Sequence, residues 1–212
     1  MLQKENLKKI SEINYELTAK HRMEEFQNIG FNIGNSGWTL PMDLTPADTK
    51  ILNDNLNEID DILFSYYNKE DFLQKMETVI LSSKYLKENT ILIKQIFIAY
   101  RQELYSICIA AVVPIIENLF ANFTNQKNNI NFKEFIKNIR NQIKEVSIIE
   151  SAALGALESF INSFSKKTDF SQEQTELTRN NICHGRIEIP NSRIEAMRYI
   201  ANLYNLSFYF NI

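Results

Sequence analysis

Five glycines and four prolines are all that punctuate 212 residues, and apolar side chains recur at helical spacing along nearly the whole length. That pairing points to an all-α fold. Residues 1–28 are predicted to form a helix with Leu7, Ile10, Ile13, Leu17 and Phe26 along one side. Residues 29–45 gather Gly30, Gly34, Gly37, Pro41 and the single tryptophan, Trp38, and are predicted to form an ordered loop, extended at Gly37–Leu40. Thr45-Pro46-Ala47-Asp48 supplies an N-cap, a proline in the first turn and an acid near the helix start. The helix that follows carries Ile51, Leu52, Ile59, Ile62 and Leu63, and residues 69–88 form another helical stretch.

The longest helix is expected from Thr90 to about Asn122, central and buried, with a bend at Pro114. Polar residues Asn125–Asn131 break the pattern. Helices at about 132–145, 147–165, 171–184 and 191–210 complete the chain, and residues 186–190 read as a loop, with a short strand as the alternative. A soft boundary near residue 88 separates an N-terminal helical accessory region (1–88) from a helical domain (89–212).

Composition narrows the class. With 23 Lys and Arg against 26 Asp and Glu, the formal charge is −3, which excludes a globally basic protein but not a local basic stripe. Two cysteines, Cys108 and Cys183, are too few for a disulfide framework and suit a reducing cytoplasm. Two histidines, His21 and His184, cannot build a multi-histidine metal centre, so no metal and no cofactor is expected. The charged N-terminus has no apolar core of signal-peptide length. The most apolar run, Ile107–Ile116, is about half of what a bilayer demands. A cytoplasmic protein without a membrane partner is the expectation.

Most catalytic patterns are missing. The glycines at 30, 34 and 37 lack the Lys-Ser/Thr of a phosphate loop, and no serine is flanked by nucleophile-elbow glycines. Cys183 and His184 are neighbours about 100° apart on a helix and cannot act as a nucleophile–base pair. Cys183 is expected as a small buried residue, and His21 as a solvated one. What remains is Leu177-Thr178-Arg179-Asn180-Asn181-Ile182-Cys183-His184-Gly185. Gly185 fits the position that ends a helix, and Arg179 and His184 differ by about 140° around its axis.

The stretch Arg179-Asn180-x-x-x-His184-Gly185 resembles the Arg–polar–x–His signature of the HEPN superfamily, in the form found in abortive-infection and toxin-like members. Ala110-Ala111-Val112-Val113-Pro114-Ile115-Ile116-Glu117 resembles that family's upstream helix with its acidic residue. The likeness covers about residues 90–212. It implies an antiparallel helical bundle of HEPN type, here with an additional N-terminal helical region. It also implies a metal-independent endoribonuclease with RNA as substrate, leaving a 2′,3′-cyclic phosphate, and a homodimer whose two motifs line one cleft. An antitoxin or regulatory protein is a further implied partner.

The residue chemistry agrees. Histidine titrates near neutrality and can move a proton between the 2′-hydroxyl and the leaving oxygen. Arginine's permanent charge can stabilise the phosphoryl oxygens. Asn180 would hold phosphate or orient His184, and Glu117 would orient Arg179 or simply make a structural ion pair. Lys133, Lys137, Arg140 and Lys144 recur along one helical face that could track a phosphate backbone, though such a stripe equally suits a solvated face. Arg186 and Arg193 flank the loop after His184 and are further RNA-contact candidates. The rival functional reading is a non-catalytic HEPN module that binds RNA or nucleotide, or regulates a partner enzyme. A third is a helical interaction domain in which the motif is accidental.

Overall fold

The computed structural model describes residues 2–125, 135, 137, 147–166, 171 and 174–211, with the side chains of 2–17 and 211 left aside. Every regular element among the described residues is helical, and none is a strand. The elements are α1 (Leu2–Gly34), α2 (Pro46–Asp54), α3 (Ile59–Tyr67), α4 (Glu70–Ser82), α5 (Thr90–Arg101), α6 (Tyr105–Thr124), α7 (Ile148–Phe164), α8 (Arg179–Cys183) and α9 (Arg193–Asn211), with short 3₁₀ turns at Leu56–Glu58 and Lys87–Asn89. The buried apolar side chains form one cluster, from Phe26 to Phe210, drawn from both sides of residue 88.

The first helix runs further than its glycines suggest. Gly30 and Gly34 lie inside α1 rather than in a loop, because they are the contact surface with α7. A methyl group added at Gly30 would fall 1.8 Å from the Ala152 carbonyl oxygen, and one at Gly155 would fall 2.0 Å from that of Gln27. Only side-chain-free positions let two helix backbones approach so closely. The loop is therefore just residues 35–45. Its Trp38, Thr39 and Leu40 are fully buried and form no strand. Asn202 of α9 accepts hydrogen bonds from the Thr39 amide (2.7 Å) and hydroxyl (2.9 Å) and donates to the Gly37 carbonyl (2.7 Å). Trp38 stacks on Tyr67 and donates to Asp60 at 2.8 Å. The backbone polar groups of a buried segment are thus satisfied by asparagine side chains. At Thr45 the expected cap is present as a full capping box with Asp48.

The long helix expected at 90–122 is two helices. Glu103 adopts φ 62°, and the Leu104 amide donates to Ala99 while the Glu103 amide donates to Tyr100. This is the bond pattern that closes a helix through a left-handed residue. The chain then reverses. Asn118 donates to Asn89 and the Cys108 thiol contacts the Ile96 carbonyl, which sets α5 and α6 antiparallel. Helix α6 continues past Pro114 without ending. By length and composition alone the whole helix could cross a bilayer, its most apolar window having mean hydropathy 1.7, a test that a buried core helix also passes. Its Cys108, Ile109, Val112, Val113, Ile116, Leu119 and Phe120 are fully buried in the core.

Candidate functional site

The motif sits on α8, and α8 is short. A helix was expected over 171–184, but residues 174–178 are not helical. Thr178 is the N-cap, its hydroxyl accepting the Asn181 amide, so the helix cannot begin earlier. The buried Asn181 side chain donates to the Glu176 carbonyl at 2.9 Å, and the Tyr199 hydroxyl donates to that of Leu177. The first bond folds the entering segment onto α8, and the second holds it against α9. The exit matches the expectation for Gly185, which has φ 61°. Its amide donates to Ile182, and the Arg186 amide donates to Asn181 at 2.8 Å. Arg179 and His184 therefore mark opposite ends of one helical turn and a half, about 7.5 Å apart along the axis.

Helix α6 lies beside this turn and brings Glu117 to it. Arg179 Nη2 meets Glu117 Oε1 at 2.9 Å, with the two side chains 27% and 34% exposed. At that exposure the pair adds no more than about 1 kcal/mol of stability, so holding the fold together is a poor account of it. Its consequence is orientational: the Arg179 guanidinium is fixed by one edge, and its Nε is buried without a hydrogen-bond partner. Asn180 turns the other way, its amide donating to the Lys166 carbonyl at the end of α7 (2.9 Å). His184 is the C-cap of α8 and is exposed.

Cys183, expected to be buried, is exposed. A five-residue helix has too little surface to bury every apolar position, and Asn181 and Ile182 occupy the inward side. Partial desolvation first, then the Glu117 carboxylate, push its thiol above the ordinary value, while Arg179 opposes them. Cys183 therefore shares the electrostatic neighbourhood of the ion pair, a position that nothing in the sequence signalled. His21 is exposed, as expected.

The remaining candidates fall in different places. Arg186 is exposed in the loop directly after Gly185. Arg193 belongs to a separate cluster: it donates to Asn68 at 3.3 Å, as does the Tyr100 hydroxyl at 3.1 Å, and lies over the Phe64 ring. Nearby, Asn191 caps the start of α6 through the amides of Tyr105 and Ser106. Residues 105 and 117 are about 18 Å apart along a helix, so Arg193 stands at the far end of α6 from Glu117. Lys137 is helical and exposed, while Lys133, Arg140 and Lys144 lie outside the described residues. Among the described residues, no three His, Cys, Asp or Glu side chains come together as a metal site would require.

No protein-family model, curated protein or solved structure matches this chain.

Proposed function

We propose that the chain is a HEPN-type, metal-independent endoribonuclease acting as a toxin or phage-defence effector, built on a HEPN-like helical bundle over residues 89–212. The observation that carries this reading is the Glu117–Arg179 ion pair. It joins the two elements that resemble the family, which lie 62 positions apart, on a helix whose other end is His184. In this reading His184 moves the proton between the 2′-hydroxyl and the leaving 5′-oxygen. Arg179 stabilises charge developing on the phosphoryl oxygens. Glu117 is a positioning residue that aims the guanidinium. Asn180, spent on the Lys166 carbonyl, anchors α8 to α7 rather than reaching the phosphate. Two copies across a two-fold axis would bring two arginines and two histidines to one RNA strand.

A second reading, a non-catalytic module that binds RNA or nucleotide or regulates a partner enzyme, draws on the same commitment of Arg179 and Asn180 to intramolecular partners. The experiment that separates the two is incubation of the pure protein with total RNA in EDTA. Cleavage that survives the chelator, leaves 2′,3′-cyclic phosphate ends and disappears in His184→Ala supports the nuclease. Binding without cleavage supports the module. Cleavage restored only by Mg²⁺ rejects the proton-transfer mechanism.

A further inference from the structure

A cavity of about 150 Å³ opens between α4, α9 and the loop that joins α1 to α2, with room for roughly one six-membered ring. None of its lining residues comes from α6 or α8, so it is separate from the corner that holds the motif. Its floor is rigid. Tyr204 and Asn205 are buried, and Asn205 Nδ2 donates into the core, to the Thr39 carbonyl (3.1 Å) and the Tyr67 hydroxyl (2.9 Å). Its walls are apolar: Phe208, 40% exposed, on α9, and the half-buried Val79 on α4 and Met42 in the loop.

The mouth carries one charge of each sign. Lys75 and Asp43 meet at 3.4 Å, with side chains 49% and 48% exposed. A pair that long and that wet contributes little to stability. Each charge also has a second holder. The Tyr66 hydroxyl donates to Asp43 Oδ1 at 2.8 Å, whereas Lys75 uses Oδ2. The Lys75 ammonium lies 4.8 Å from the centre of the Phe72 ring, which attracts it through the ring's negative face. Both charges therefore keep their places when the bond between them opens.

We infer that this cavity binds a free apolar amino acid. The ligand's side chain fills the space beside Met42, Val79 and Phe208, its carboxylate pairs with Lys75 and its ammonium with Asp43. Apolar walls with a few placed polar groups are the usual build of a small-molecule site, and here the polar groups match a zwitterion. A ligand with a single charge gains one partner and faces its own sign on the other. A residue inside a polypeptide carries neither charge, so the mouth selects the free molecule over a docked peptide. The size of the cavity suits a side chain such as that of leucine or phenylalanine. This site is independent of the proposed nuclease chemistry, and it would bind whether or not the chain cleaves RNA.

Titration of the full chain with L-phenylalanine and with L-leucine, followed by ligand-observed NMR, tests this. Saturable binding with a Kd of about 1 mM or tighter is expected for at least one of them. Hydrocinnamate and phenethylamine, each one charge short of phenylalanine, are expected to bind about tenfold more weakly. N-acetyl-L-phenylalanine amide, which has neither charge, is expected not to bind. Lys75→Met keeps the stem beside the Phe72 ring, and Asp43→Asn keeps an acceptor for Tyr66. Each is expected to weaken binding of the amino acid about tenfold, whereas Lys94→Met on α5 leaves it unchanged. All three positions are exposed, so thermal unfolding should stay the same. Val79→Phe fills the cavity and is expected to abolish binding; should it fail to fold, the exposed variants decide alone. No saturation by about 10 mM of either amino acid, equal affinity for a singly charged analogue or for the amide, or full affinity in Lys75→Met would overturn the inference.

Discussion

Two helix pairs in this molecule are held by opposite means. At the α1–α7 crossing, Gly30, Gly34 and Gly155 bring backbone against backbone. At the α6–α8 corner, a five-residue helix is held by caps, a few side-chain hydrogen bonds and one half-exposed ion pair. The first contact has no room for a methyl group. The second has room and solvent on one side, and it holds the Arg, His and Glu of the motif. Packing precision and reactive side chains are thus kept in separate places. Substitutions at the crossing should register as lost stability, and those at the corner as lost function.

The largest effect is expected at the crossing. Gly155→Leu must push the Gln27 backbone aside, because the obstacle is a carbonyl rather than a flexible side chain. The variant should fail to give a cooperative unfolding transition. Even Gly155→Ala should cost about 3 kcal/mol, lowering the midpoint by roughly 6–12 °C for a chain of this size. A thermal melt of Gly155→Ala within two degrees of wild type would show that the helices can separate cheaply, and the contrast between the two regions would fail.

The corner should behave in the opposite way. Arg179→Ala removes a half-exposed pair, so unfolding free energy should change by less than about 1 kcal/mol. RNA cleavage should fall about 10²–10³-fold if the guanidinium stabilises the transition state. His184→Ala should lose about 10²–10⁴-fold with a similarly small change in stability. Glu117→Gln keeps the shape but loosens Arg179, and a positioning role predicts a lower kcat with little change in KM. Mixing His184→Ala with Arg179→Ala chains sharpens this further. Partial recovery of cleavage is expected if one intact Arg and one intact His, from either chain, suffice. Unaltered cleavage by both single variants would leave the corner a structural feature only.

The same contrast governs what the sequence disclosed. The end of α8 was legible because Gly185 advertises a left-handed residue. The end of α5 uses the same bond pattern with Glu103 in that position, and a charged residue inside an apolar periodicity gives no such signal. The helix at 90–122 was therefore expected in one piece. Gly30 and Gly34 read as a loop because local rules see their flexibility, whereas their use is tertiary and depends on Gly155, 121 residues away. At the candidate site, Arg179, His184 and Glu117 were legible from residue chemistry and resemblance. The exposure of Cys183 was not, since it depends on how short Thr178 makes α8. The place of Arg193 was hidden for a related reason: it is near His184 in sequence, but Asn191 carries the chain to the opposite end of α6.

A smaller effect tests the corner's one glycine. An added methyl at Gly185 meets nothing within 4 Å, so the cost of Gly185→Ala is only that of a left-handed residue with a side chain, about 1–2 kcal/mol. Urea titration should place this loss well below that of Gly155→Ala. Equal losses would mean that the two glycines are not used for different reasons.

The smallest effect concerns the cap of α2, which packs on both helices of the crossing. The Asp48 carboxylate accepts from the Thr45 hydroxyl at 2.6 Å and amide at 2.9 Å. These bonds, the hydroxyl first, hold its pKa below the ordinary 3.8. A carboxylate depressed in the folded state binds its proton more readily when unfolded. The stabilisation is therefore fully present above about pH 4 and is lost as the pH falls through the lower, folded value. Asp48→Asn removes that dependence. The midpoints of wild type and variant should differ at pH 7 and draw together as acid is added below pH 4. A gap that stays constant through that window would mean the capping box acts through shape rather than charge. RNA cleavage at neutral pH should be the same in both proteins, because α2 packs against the crossing and lends nothing to the corner.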